Sequence, residues 1–114
     1  MLQTLLRRAA PALLAAVALI SLAAAAPAPQ GAQVTIGNFT FGPAVLTVAP
    51  GTTVTWLNGD DIPHTIVADD KRAFRSKVLD SGDRFAFTFA QPGTYAYFCS
   101  IHPHMTGKIV VKAR

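Results

Sequence analysis

The chain has 114 residues, of which 51% are hydrophobic, with 10 Lys or Arg, 6 Asp or Glu and a single cysteine. That length holds one domain, and one cysteine excludes an intramolecular disulfide framework. Two of the basic residues, Arg7 and Arg8, stand at the very start; beyond residue 26, eight Lys or Arg face six Asp and no Glu, a net of +2 with the signs mixed and no basic stripe, which excludes a nucleic-acid-binding face.

In chain order, Arg7 and Arg8 precede an Ala/Leu-rich run from Ala9 to Ala26, followed by Pro27-Ala28-Pro29-Gln30. A positive start, an apolar run and small residues at its end are the layout of a secretory signal. Residues 1–26 are therefore read as a signal peptide, helical in its apolar part, and residues 27–32 as a linker. A retained membrane anchor is the competing reading, because the run approaches the ~20 residues of a spanning helix. The small-x-small sites around Ala23 to Ala26 favour cleavage, after which no stable membrane insertion is expected. Pro27 leaves the cleavage point open by a few residues, and Ala9-Ala10-Pro11 is a poor match to twin-arginine export. Export to the periplasm follows as the expected location.

Residues 33–114 form the remaining domain, and there the pattern has period two. Val34-Thr35-Ile36, Phe39-Thr40-Phe41 and Val45-Leu46-Thr47-Val48 lead to the turn Ala49-Pro50-Gly51-Thr52. Val54-Thr55-Trp56-Leu57 alternates next, ahead of the turn cluster Asn58-Gly59-Asp60-Asp61. His64-Thr65-Ile66-Val67 is extended, and the polar stretch from Asp69 holds a helical turn at most. Phe85, Phe87 and Phe89 fall on one face; Gln91-Pro92-Gly93 turns the chain into Thr94 to Cys99, and Lys108 to Lys112 closes it. About seven to eight short strands with frequent turns and no amphipathic helix predict an all-β, antiparallel Greek-key sandwich or barrel. A domain of about 80 residues buries only a modest core, so a bound metal would add stability.

A lone thiol in an oxidising compartment needs an occupant. Cys99, His102 and Met105 lie in Cys99-Ser100-Ile101-His102-Pro103-His104-Met105, between two predicted strands. A thiolate, an imidazole and a thioether are soft ligands, and softness selects copper over magnesium or calcium. The two-residue gaps let a tight turn bring Cys99 and His102 to one centre and Met105 to its axial side. The missing equatorial ligand is His64, beside a strand whose end a sandwich can bring to the same loops. Taken singly, a buried histidine or methionine is ordinary core; the combination is the His2Cys site with weak axial Met of blue-copper electron transfer. His104 competes for the second equatorial place. His102 is preferred, because its shorter gap closes the turn and Pro103 stiffens the chain after it, leaving His104 at the surface.

These residues resemble the cupredoxins, or blue copper proteins, and within them the amicyanin and plastocyanin/azurin-like group, over about residues 33–112. Pro50 to Asn58 is similar to the strand before the first ligand, Pro63-His64 to the first-ligand motif, and Pro92 to Cys99 to the strand entering the ligand loop. The resemblance implies one type 1 copper ion on His64, Cys99, His102 and Met105, with His104 at a usually aromatic position. One departure stands out. Thr65 occupies a position where many members have an Asn that ties the two ligand loops, so that tie is not carried over, whereas a Thr65 N–H donating to the Cys99 sulfur survives.

The expected function is a monomeric one-electron carrier, not an enzyme. Transient redox proteins are expected to dock at an apolar patch of Ile62, Pro63, Ile101 and Pro103 around the His102 edge. The alternative is a periplasmic copper carrier or store using the same ligands. A multicopper oxidase is disfavoured because Phe98 and Ser100 flank the cysteine where such enzymes place histidines. A Cys99–His nucleophilic pair would need an accessible thiolate.

Overall fold

The computed structural model describes residues 31–113; the signal-peptide reading of residues 1–26 lies outside them. Eight strands follow in order: β1 (Ala32–Gly37), β2 (Thr40–Gly42), β3 (Val45–Val48), β4 (Thr52–Asn58), β5 (Val67–Ala68), β6 (Arg84–Phe89), β7 (Gly93–Phe98) and β8 (Thr106–Val111). The described residues contain no helix. Period-two alternation produces these strands because each must turn one face inward. In β4, Thr52, Val54, Trp56 and Asn58 are buried and the residues between them are half-buried.

The strands form two four-stranded sheets, ordered β2-β1-β4-β6 and β3-β8-β7-β5. Connections cross between the sheets everywhere except β1 to β2 and β7 to β8, as in a Greek-key sandwich. Both sheets are mixed rather than purely antiparallel. β1 runs parallel to β4, with Val34 opposite Trp56, and β3 runs parallel to β8, with Leu46 opposite Ile109. Alternation marks a strand and its inner face equally well in either pairing; only the path of the crossing connections sets direction.

The core between the sheets centres on Trp56, whose ring meets those of Phe74, Phe85, Phe89 and Tyr97 at centroid distances of 5.4–6.3 Å. Each large side chain fully buried there is worth about 1.5–3 kcal/mol of transfer free energy. The stretch after Asp69 has no helical turn and contributes more core than its polarity suggests, since Phe74 and Leu79 are buried. It folds back along the segment before it. The Ser76 N–H donates to the Ile66 carbonyl at 2.8 Å, and His64 and Leu79 exchange both backbone bonds, at 3.0 and 2.8 Å. On the other side, Gly107 is the one residue type that fits, because a Cβ there would fall on the Tyr97 ring.

Two pairings bring the ends of distant segments together. β5 pairs with β7 through Val67 and Phe98, and β7 with β8 through Phe98 and Thr106. His64, just before β5, and Cys99, just after β7, therefore emerge at the same end of one sheet.

Candidate metal centre

The loop joining β7 to β8 is wound by three backbone hydrogen bonds. His102 N–H donates to the Cys99 carbonyl at 3.2 Å, Met105 N–H to the His102 carbonyl at 2.9 Å, and Cys99 N–H to the Met105 carbonyl at 3.1 Å. The first two are successive turns of three residues each, so side chains spaced by three recur at equivalent places on the loop. The third closes the loop on itself. Cys99 is fully buried and Met105 is 5% exposed.

His64 arrives from the other side on a segment shaped by Asn58. The fully buried Asn58 amide donates to the carbonyls of Ile62 and Leu79, both at 2.9 Å, and its oxygen accepts the Asp60 N–H at 3.0 Å. These three contacts, with the His64–Leu79 backbone pair, hold His64 fully buried at the head of β5.

These elements bring His64, Cys99 and His102 to one point, with one donor atom from each lying within 4.8 Å of the others. The Cys99 sulfur is 3.7 Å from His64 Nδ1 and 3.7 Å from His102 Nδ1. Those separations are too long for strong hydrogen bonds and are of the size that two ligands of one ion keep. Burial by itself would push the Cys99 thiol up. The Thr65 N–H at 3.4 Å, the two imidazoles and the His102 N–H outweigh it and bring the pKa down to about 6, so the sulfur is a thiolate at neutral pH, the form that ligates metal. Two imidazoles and a buried thiolate fit a soft transition metal such as copper, and not a hard cation.

The Thr65 N–H donates to the Cys99 sulfur, as expected from sequence. The loops are also tied by side chains despite the departure at residue 65. Thr65 Oγ1 accepts the Ser100 N–H at 2.8 Å and lies 2.7 Å from Ser100 Oγ. A hydroxyl and a neighbouring serine thus tie the two ligand loops here.

His102 is half-buried, and His104 is exposed beside the loop. Ile62 is 39% and Ile101 47% exposed, and Pro63 and Pro103 are also at the surface. The sequence reading missed three participants. Asp60 Oδ2 lies 2.8 Å from His64 Nε2. Burial works to raise its pKa, but the Phe39 N–H, the His64 ring and the Asn38 N–H hold the carboxyl below its ordinary range. Phe39 sets its ring edge-on against both imidazoles. Asn58 looks in sequence like one more turn residue. An Asp four residues before a histidine was the only signal for the first of these, and nothing local announced the other two.

A Cupredoxin-like domain profile matches residues 10–111. Amicyanin-alpha of Methylorubrum extorquens is 33% identical over 103 residues, covering 86% of this chain and 87% of the relative. Chloroplastic plastocyanin of Tetradesmus obliquus is 34% identical over 122 residues, covering 94% and 83%. The amicyanin of Paracoccus versutus is 40% identical over 73 residues, and there the chain spans 54% of the relative's length. Among solved structures, a purple cupredoxin from Nitrosopumilus maritimus superposes with a TM-score of 0.68 at 38% identity, over 71% of this chain and 99% of that one. A copper-containing nitrite reductase from Thermus scotoductus gives a TM-score of 0.67 at 36% identity over 72% of this chain, but only 22% of the enzyme, so that likeness is to one part of it. An amicyanin variant in its reduced Cu(I) form gives 0.67 at 32% identity, over 72% and 82%. The relatives and the donor set together support a copper protein that carries electrons. Matched along nearly its whole length by relatives whose sandwich it shares, this chain belongs to the cupredoxin-like family, and its cofactor is one type 1 copper ion.

Proposed function

We propose that His64, Cys99 and His102 hold the copper equatorially, that Met105 is its weak axial ligand, and that the chain is an exported one-electron carrier. The observation that carries this reading is the buried Cys99 thiolate set 3.7 Å from the Nδ1 atom of each of two histidines. When bound, copper supplies the exchange of one electron between Cu(II) and Cu(I). The protein's part is to keep its own atoms still. Two strand ends and a self-closed loop fix the donors, so little rearrangement accompanies a change of charge. Burial of His64 and Cys99 excludes water, and the Thr65 N–H stabilises negative charge on the sulfur at 3.4 Å.

His102 is the electron port in this reading, being the half-buried imidazole, with Ile62, Pro63, Ile101 and Pro103 as the docking face for a transient redox partner. The cupredoxin domain spans residues 33–114. Residues 1–26 act as the export signal and 27–32 as a linker, its last residue, Ala32, already in β1, and the mature protein works as a periplasmic monomer.

Visible and EPR spectra of the protein isolated from its own host test the assignment, since they report metal identity and site symmetry together. An intense thiolate-to-Cu(II) band, lost in C99S, is expected, with fast reversible redox cycling and slow copper exchange. Zinc in the native protein, or ready transfer of Cu(I) to an acceptor, overturns the carrier reading in favour of another metal or a copper courier. Introducing a charge by I101K is expected to slow transfer to a partner while leaving the spectrum unchanged; an unaltered rate removes the docking face.

A further inference from the structure

The turn between β1 and β2 sits at the metal centre in a conformation that L residues avoid. Asn38 has φ 49° and Phe39 φ 59°, two consecutive left-handed residues, the second of them bulky. Phe39 is also 43% exposed, so burial does not account for its position. Thr40 Oγ1 donates to the Gly37 carbonyl at 2.7 Å within the hairpin, and from outside it one carboxylate holds the turn. Asp60 Oδ1 accepts the Asn38 N–H at 2.6 Å, and Oδ2 accepts the Phe39 N–H at 3.0 Å. The same Oδ2 lies 2.8 Å from His64 Nε2. Asp60 is itself placed by its N–H bond to Asn58, and the approach of the two segments is secured by Gly59, whose N–H donates to the Ile36 carbonyl at 2.8 Å.

The strained turn delivers the Phe39 ring to the site. Its centroid is 5.6 Å from that of His64, at 88°, and 5.1 Å from that of His102, at 85°. These are edge-to-face contacts, in which the ring quadrupoles favour one orientation over its neighbours. The two imidazoles are 5.0 Å apart, so Phe39 stands against both at once. Strain maintained at an exposed position beside a functional group is a sign that the position matters to the site.

We propose that Asp60 and Phe39 are positioning residues that make the β1–β2 turn a third wall of the copper site. Asp60, as acceptor from the His64 Nε2–H at 2.8 Å, fixes that ring with Nδ1 facing Cys99. Through the same carboxylate it clamps the turn, and Phe39 then sets the plane of the His102 ring. One charged group thus couples the orientation of both histidines. The consequence for copper rests on the ligand assignment above. The His64 Nε2–H hydrogen bond and the ring order belong to the metal-free protein and are read without copper.

Nitrogen-detected histidine NMR of the metal-free protein, in wild type, D60N, F39A and D60N/N38G, tests this. Wild type is expected to show the His64 Nε2–H in a strong hydrogen bond and a single ordered His102 ring. In D60N one amide oxygen replaces two carboxylate oxygens that serve three donors, so the His64 Nε2–H hydrogen bond weakens and His102 loses its single orientation. F39A is expected to keep the His64 hydrogen bond but not the His102 order. In D60N/N38G, glycine relieves one left-handed position, so His102 order returns while the strong His64 hydrogen bond does not. Should D60N alone fail to fold, the same comparison is made in the N38G background. On loading with copper, D60N is expected to bind about 10- to 100-fold more weakly, and F39A to shift the reduction potential with its spectrum retained. An unchanged His64 Nε2–H hydrogen bond in D60N, or an unchanged His102 ring in F39A, overturns the proposal whatever copper does. Failure of the wild type to bind copper, with the NMR pattern as expected, instead overturns the ligand assignment.

Discussion

Replacing Thr65 with valine keeps the side-chain shape and removes only the hydroxyl that joins the two ligand loops. That oxygen accepts the Ser100 N–H at 2.8 Å, pairs with Ser100 Oγ at 2.7 Å and lies 3.8 Å from the Cys99 sulfur. A hydrogen bond within a protein contributes about 0.5–1.5 kcal/mol net, and a buried group left without a partner costs about 1–3 kcal/mol. Ser100 is exposed, so water reaches its freed N–H and the second cost is largely avoided. The expected loss is about 1–2 kcal/mol, which in a domain of this size lowers Tm by about 5–15 °C. Calorimetry and urea denaturation of the metal-free protein measure it. S100A, alone and combined with T65V, gives the coupling, expected to exceed about 0.5 kcal/mol. Since the Thr65 N–H still reaches the sulfur at 3.4 Å, the thiolate-to-copper band should persist. Stability of T65V within about 0.3 kcal/mol of wild type, or additive effects of the two substitutions, refutes the idea that this hydroxyl ties the loops.

G59A places a Cβ 2.9 Å from the Ile36 carbonyl oxygen, a backbone atom with little room to retreat. It is expected to destabilise the protein by about 1–3 kcal/mol in urea denaturation. On the ligand assignment proposed above, M105L removes a fourth donor, which the more highly charged Cu(II) needs more than Cu(I) does. The reduction potential should therefore rise, on the order of 60 mV for a tenfold shift in the one-electron equilibrium, as voltammetry would read; a fall would remove Met105 from the axial role. Asp70 accepts the Ala73 and Arg72 N–H groups at 3.0 and 2.8 Å, and these bonds hold its pKa below the ordinary 3.8. A carboxyl lowered on folding adds stability above its unfolded pKa and loses it as pH falls through the folded one. Urea midpoints of D70N measured downward from about pH 5 should accordingly fall less steeply than those of wild type.

The strands, the inward faces and the soft-ligand loop were largely legible in the sequence because each is a local property. Alternation in Val54-Thr55-Trp56-Leu57 marks a face without reference to a partner, and Cys99, His102 and Met105 lie close enough along the chain for one loop to gather them. Phe74 and Leu79 were harder to read, because their burial comes from a loop that folds back on His64 and Ile66 rather than from any periodicity of its own. The parallel pairing of β1 with β4 and of β3 with β8 had no sequence signature at all, since side chains alternate identically in either direction.

By itself, then, the amino-acid order determined an all-β domain and the chemistry of a soft metal site, both of which follow from residue type and short spacing. Only the folded chain decided that Asp60 faces His64, that Thr65 reaches Ser100, and that Phe39 stands against two imidazoles from a strained turn. Those contacts join residues up to 63 positions apart, as between Phe39 and His102. Their existence depends on how two sheets are stacked, a relation that local propensity does not encode.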